Sequence, residues 1–273
     1  MRGVGSAFLS QQQRGRLAEL RYIDAGHGYD VFGMHPDWLG FALALIGPLY
    51  RRYFRVSSHG AENVPVEGPA ILIANHAGTL PIDAAMICCD VFEHARRPRM
   101  ARPVSDLFVA ELPFVSATFA RVGVVPGARV NVRSLLERGE LCLIFPEGMA
   151  AMSKPRDARY RLGGWHVGHA ELALRHGATI VPVAVIGSEE QWPTAARVRG
   201  LRPFGAPYLP VMATPFPLPV HYHIHYGEPI DLRARLGSSE LSTALIDEAA
   251  SATREALQAL IDRGVQERGG VFR

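Results

Sequence analysis

Short, unbroken apolar runs constrain this chain more than any other feature. Residues 70–74 read AILIA, residues 141–145 LCLIF and residues 179–187 TIVPVAVIG. A strand with one wet face alternates apolar and polar residues. A run without alternation reads as a strand covered on both faces, as in a parallel sheet between layers of helix. The intervening segments have helical character. One helix is expected from Pro81, one over residues 128–139 stopped by Gly139, and one over residues 165–177. Residues 105–122 read as one or two short helices interrupted at Pro113. Further strands are expected within residues 54–60, 97–104, 123–127 and 220–230. In the last helix, Leu241, Leu245, Ala249, Ala256 and Leu260 form a stripe at helical spacing. This alternation predicts an α/β fold with a largely parallel central sheet flanked by helices.

Residues 55–273 read as a single α/β domain and residues 1–54 as an N-terminal helical, interfacial segment. A weak helix is expected around Leu17–Arg21, and Asp37 is placed to cap a helix running from Trp38 to about Tyr53. The apolar run Trp38–Tyr50 would reach roughly 20 Å at about 1.5 Å per residue, whereas a bilayer core needs about 30 Å. It is therefore not expected to span a membrane. Two readings stand beside each other: a buried helix, or a helix in the membrane interface. In the second, Trp38, Tyr50 and Tyr53 are anchors and Arg51 and Arg52 lie near lipid phosphates. The N-terminal residues do not read as a signal peptide, because the apolar stretch is short and glutamines and arginines follow it.

With 48% hydrophobic residues in 273, the chain has ample material for a core. A net charge of +3 favours anionic partners, and much of it is bunched at Arg96, Arg97, Arg99 and Arg102 and again at Lys154, Arg156, Arg159 and Arg161. Such bunches are commonly solvated surface; beside an anionic lipid surface each cation adds about 1 kcal/mol. Nucleic acid is not an expected partner, since no recognition-helix signature or aromatic interleaving accompanies them. Cys88, Cys89 and Cys142 lie in apolar runs without metal-type spacing, and read as buried thiols of a cytoplasmic, reducing compartment.

Chemistry is expected where the strand 70–74 ends. Asn75, His76 and Gly78 follow it, Pro81 suits the start of a helix, and Asp83 falls in the first turn. Taken singly, Asp83 is a helix cap and His76 a polar residue ending a strand. Taken together they form a pair in which the carboxylate fixes the imidazole tautomer, freeing the other ring nitrogen to take a proton from an alcohol. No Gly-x-Ser-x-Gly and no cysteine nucleophile accompanies them. A histidine that activates a substrate hydroxyl directly is the implied chemistry.

The stretch NHAGTLPID, residues 75–83, resembles the first motif of the glycerophospholipid acyltransferases, the family that includes lysophosphatidic acid acyltransferase. GVVPGAR (123–129) resembles the second block, FPEGMAAMSK (145–154) the third and IVPVAVIG (180–187) the fourth, in the family's order. The resemblance covers roughly residues 55–230. It implies His76 as general base, Asp83 as its orienting partner, and Arg129 as the ligand of an acceptor phosphate. Asn75, Glu147, Gly148 and Lys154 complete the implied substrate site. The implied reaction joins an acyl group from acyl-CoA or acyl carrier protein to a hydroxyl of a lysophospholipid or acylglycerol, as in a 1-acylglycerol-3-phosphate O-acyltransferase. No cofactor or metal is implied, and peripheral membrane association is expected. Two departures are visible. Six residues separate the histidine from the aspartate where four are usual, and Met149, Ala150 and Ala151 replace the usual Thr, Arg and Ser. The first leaves a non-catalytic lipid-binding relative as an alternative.

His221, His223 and His225 alternate along one expected strand and share a face, with Tyr222, Ile224 and Tyr226 on the core side. Three imidazoles in that arrangement suit zinc or iron and give a metal-dependent hydrolase as a further alternative; the plainer reading is an exposed face that carries histidines. His166 and His169, three apart on an expected helix, read as surface or partly buried residues.

Overall fold

A computed structural model describes residues 7–77, 80–148, 151, 154, 156–198, 209–237 and 241–272. Gly78 and Thr79 of the first motif, Met149 and Ala150 of the third, and the Arg156 side chain lie outside the described residues.

Seven strands form the central sheet: β1 (Ser57–His59), β2 (Ala70–Ala74), β3 (Ala101–Ser105), β4 (Val125–Pro126), β5 (Leu141–Ile144), β6 (Thr179–Ile186) and, after a separate antiparallel pair β7 (Thr194–Val198) and β8 (Leu209–Met212), β9 (His223–Tyr226). Their order is β1-β9-β6-β2-β5-β3-β4. Every neighbouring pair is parallel except β6 with β9. The expected fold class is therefore the observed one.

The unbroken apolar runs have the predicted physical cause. Leu72 and its neighbours at positions 70 and 74 pack with Met86, Ile87 and Val91 of α3 (Ile82–His94) on one face of the sheet. Ile71 and Ile73 pack on the other face with Val132 and Leu135 of α5 (Arg129–Glu137), and with Ala170 and Ala173 of α6 (Gly168–His176). Both faces of β2 are dry, so neither parity can be polar. In chain order α4 (Val115–Arg121) falls between α3 and α5 and is preceded by a 3₁₀ turn, Leu107–Glu111. After β9 come the short α7 (Leu232–Leu236) and the long α8 (Thr243–Glu267).

Four details differ from expectation. The first helix, α1, spans Gln11–Glu19, earlier than Leu17–Arg21, because Ser10 and Gln13 form a reciprocal capping box. The next, α2, spans Pro36–Pro48, and its cap is the His35 ring, which accepts from the Asp37 N–H; Asp37 itself sits in the first turn. Pro48 supplies no N–H, and the chain continues as a wider π turn over Leu49–Tyr53. On α8 the buried stripe is Leu245, Ala249, Thr253, Leu257, Leu260 and Ile261, while Leu241 precedes the helix and Ala256 is half-buried. Four-residue steps drift off a 3.6-residue turn and need a three-residue step to stay on one face.

The segment from α2 through the π turn is two-faced. Leu39, Leu43 and Tyr50 are buried, whereas Trp38, Phe41, Leu45 and Leu49 are exposed. Tyr50 is not an interfacial anchor: its hydroxyl donates to the buried Asp90 carboxylate. Tyr53 is half-buried and its hydroxyl donates to the Pro217 carbonyl. No described helix is long and apolar enough to cross a membrane. The basic bunches also divide. Arg102 is fully buried, donating to the Gly123 carbonyl and the Asp30 carboxylate, and Arg99 ties the carbonyls of Pro65, Gly68 and Gly139. These two arginines hold loops together and do not face a lipid surface.

Candidate active site

Asn75 closes β2. Its side-chain amide replaces a strand partner, accepting from the Val185 N–H at 2.8 Å and donating to the Val185 carbonyl at 3.0 Å. That pins the carboxyl end of β2 to β6, and His76 leaves from this fixed point. Asp83 enters from the first turn of α3 and is fully buried. The His76 Nδ1–H donates to Asp83 Oδ2 at 2.8 Å. The same oxygen accepts from the Ala77 N–H at 2.9 Å, and Oδ1 accepts from the Ala84 N–H at 2.8 Å. The six-residue spacing therefore delivers the carboxylate to the imidazole. Since a carboxylate only accepts, the proton sits on Nδ1 and the lone pair on Nε2. Phe145 packs on the ring, with centroids 4.4 Å apart, and the side chain remains 17% exposed.

Burial of the His76 ring opposes its protonation. The Asp83 carboxylate outweighs this by charge and by hydrogen bond, Glu147 and Asp106 add to it, and the net pKa lies above the usual histidine value.

The third motif lies directly beside this pair. Glu147 is fully buried after β5; its Oε1 accepts from the His76 N–H at 3.4 Å and its Oε2 from the Gly163 N–H at 2.8 Å. Gly148 adopts a left-handed backbone, φ 55°, with His166 against the position a Cβ would take, so glycine suits this turn. Lys154 inserts its ammonium between two carboxylates, 2.7 Å from Glu147 and 3.1 Å from Glu189. It is a mostly buried internal cation and not part of a solvated basic bunch. Arg129 begins α5 at the carboxyl end of β4, three strand positions from β2. Its side chain is 72% exposed and pairs with Glu171 at 2.9 Å. Asn75, His76, Asp83, Glu147, Gly148 and Lys154 thus gather in one place, and Arg129 stands apart on the surface.

Sequence reasoning missed two partners. Glu189 and the Gly163 N–H complete the surroundings of Glu147 and Lys154, yet neither carries a local signal. His169 is buried, with Nε2 bonded to Thr253 and Nδ1 to the His166 carbonyl; burial pushes it down to about 4. It is a core residue.

An alcohol oxygen brought to His76 Nε2 would lose its proton to a ring already oriented by a buried acid, which is the chemistry of acyl transfer to a hydroxyl. A family model described as Acyltransferase matches residues 55–186, which include Asn75, His76, Asp83, Glu147, Gly148 and Lys154. An uncharacterized protein of Mycobacterium tuberculosis is 34% identical over 265 residues, covering 92% of this chain and 73% of that protein. The Bos taurus protein named "DGAT1/2-independent enzyme synthesizing storage lipids" is 28% identical over 218 residues, covering 78% of this chain and 61% of the other. The crystal structure of the 1-acyl-sn-glycerophosphate (LPA) acyltransferase PlsC from Thermotoga maritima shares the fold, with a TM-score of 0.56, 17% identity, and coverage of 86% of this chain and 83% of that one. The chain belongs to the acyltransferase family.

Proposed function

We propose that the protein transfers a fatty acyl group from a thioester of coenzyme A or acyl carrier protein to a lipid hydroxyl, with His76 as general base. His76 Nε2 takes the hydroxyl proton as the oxygen attacks the thioester carbonyl. The tetrahedral intermediate then collapses, the C–S bond breaks, and the imidazolium returns its proton to the departing thiolate. Asp83 stays ionised, holds the tautomer and stabilises the imidazolium. The observation that carries this reading is the 2.8 Å contact between His76 and the buried Asp83. It also favours catalysis over the non-catalytic lipid-binding alternative, which needs the pair broken. No cofactor enters these steps.

The acceptor we favour is a neutral acylglycerol rather than a lysophosphatidate. Among the described side chains, the two cations that the resemblance assigns to the acceptor site are already matched: Lys154 by Glu147 and Glu189, and Arg129 by Glu171. The storage-lipid name of the bovine relative is consistent with this. The exposed row Trp38, Phe41, Leu45 and Leu49 supports a peripheral membrane position, from which a bilayer-resident acceptor would reach the site. An acceptor panel with one acyl-CoA tests the assignment: monoacylglycerol, diacylglycerol, lysophosphatidate and lysophosphatidylcholine, followed by thiol release. Faster turnover with the acylglycerols is expected. Turnover confined to lysophosphatidate would overturn the acceptor assignment, and no turnover with any of them would overturn the enzyme reading.

A further inference from the structure

The described residues hold one cluster of histidines outside the catalytic site. His59 lies on the edge strand β1, directly across from His225 on β9 in the parallel register, and His223 is two residues before His225 on the same face. One nitrogen from each of His59, His223 and His225 falls within 4.8 Å of the others. His221, the third member of the ladder read from sequence, is instead bonded through Nε2 to Ser57 Oγ at 2.9 Å, so the third imidazole of the cluster is His59.

The face is not simply exposed. His225 is 7% exposed and lies under α8, where a Cβ at Gly264 would come within 3.1 Å of its ring. His223 Nε2 and His225 Nε2 are both buried without a hydrogen-bond partner. Two such nitrogens on adjacent core-facing rungs are costly unless something occupies them. His59 is the exposed member, stacked on His225 with centroids 4.4 Å apart, and gives the cluster an open side.

We propose that His59, His223 and His225 form a binding site for a zinc-class divalent metal that staples the edge strand β1 to β9. The donor chemistry selects the class: three imidazoles suit zinc and its neighbours, whereas calcium and magnesium need oxygen ligands. Tetrahedral zinc at about 2.1 Å from each nitrogen sets the nitrogens about 3.4 Å apart, so capture turns the exposed His59 ring out of its stack toward the other two. Arg268, just past α8, is matched by Glu190 at 2.8 Å. A water or anion takes the fourth position. The role is structural: β1 is three residues long and at the sheet edge, and its partner strand lies far along the chain. A clip across so long a loop removes the most chain entropy from the unfolded state.

The test uses tag-free full-length protein loaded with zinc, passed through a desalting column and analysed for metal, alongside His59→Ala, His223→Ala and the exposed-histidine control His27→Ala. Thermal melting is recorded with and without zinc. Expected is about one zinc per chain in the native protein and His27→Ala, a raised melting temperature on zinc addition, and loss of both in His59→Ala and His223→Ala. His59→Ala is a surface change, so its result stands even if His223→Ala fails to fold. No retained zinc in the native protein, or retention undiminished in His59→Ala, would overturn the site.

Discussion

His76 is under two opposing influences, burial that disfavours its charge and a buried carboxylate that favours it, and the carboxylate wins. This sets the sign of the pH dependence. A general base must be neutral, so the acyl-transfer rate rises with pH as the imidazolium loses its proton, and the midpoint of that acid limb lies above the ordinary histidine value. Asp83→Asn removes the charge that raises it. The expected outcome is an acid limb shifted to lower pH and a kcat reduced by about 100-fold or more, read from initial rates across the pH range. An unshifted limb would assign the titration to another group. The same carboxylate also accepts the N–H groups of Ala77 and Ala84, so it holds the histidine loop as well as the ring.

At the scale of elements, the sheet end and one helix carry separate duties. Asn75 joins β2 to β6 by a pair of hydrogen bonds at the point where ladder pairing would otherwise stop, which gives His76 a rigid base. The α2 helix is built for two environments: Leu39 and Leu43 enter the core while Phe41 and Leu45 stand in solvent, 48% and 64% exposed. The double variant Phe41→Ser, Leu45→Ser leaves the core face intact. Its binding to phosphatidylcholine vesicles containing phosphatidylglycerol as the anionic lipid, measured by co-sedimentation, is expected to weaken by roughly 10-fold or more, since each such side chain contributes about 1.5–3 kcal/mol when buried in apolar surroundings. Unchanged sedimentation would remove α2 from the lipid contact.

Over the whole molecule, the central sheet and the His76–Asp83 pair were legible because their signals are local. Unbroken apolar runs mark strands with two dry faces, and a histidine followed by Pro81 and Asp83 marks a strand-to-helix crossing. What remained hidden depends on partners distant in sequence. Nothing near His59 announces that it faces His225, because that meeting is made by the pairing of β1 with β9. Nothing near Arg102 predicts its burial against Asp30. Nothing in the third motif shows that Glu189 shares Lys154 with Glu147. Charge bunching along the chain was a poor guide for the same reason: burial is decided by what packs above a residue, and cations with fixed acceptors go inside.

The account turns on His76 as the base. The most direct measurement is the initial rate of acyl transfer from acyl-CoA to the best acceptor for native protein and for His76→Ala, with matching circular dichroism spectra. A loss of about 10²–10⁴-fold in kcat, with the acceptor KM little changed, is predicted. A His76→Ala protein that turns over at the native rate would contradict it.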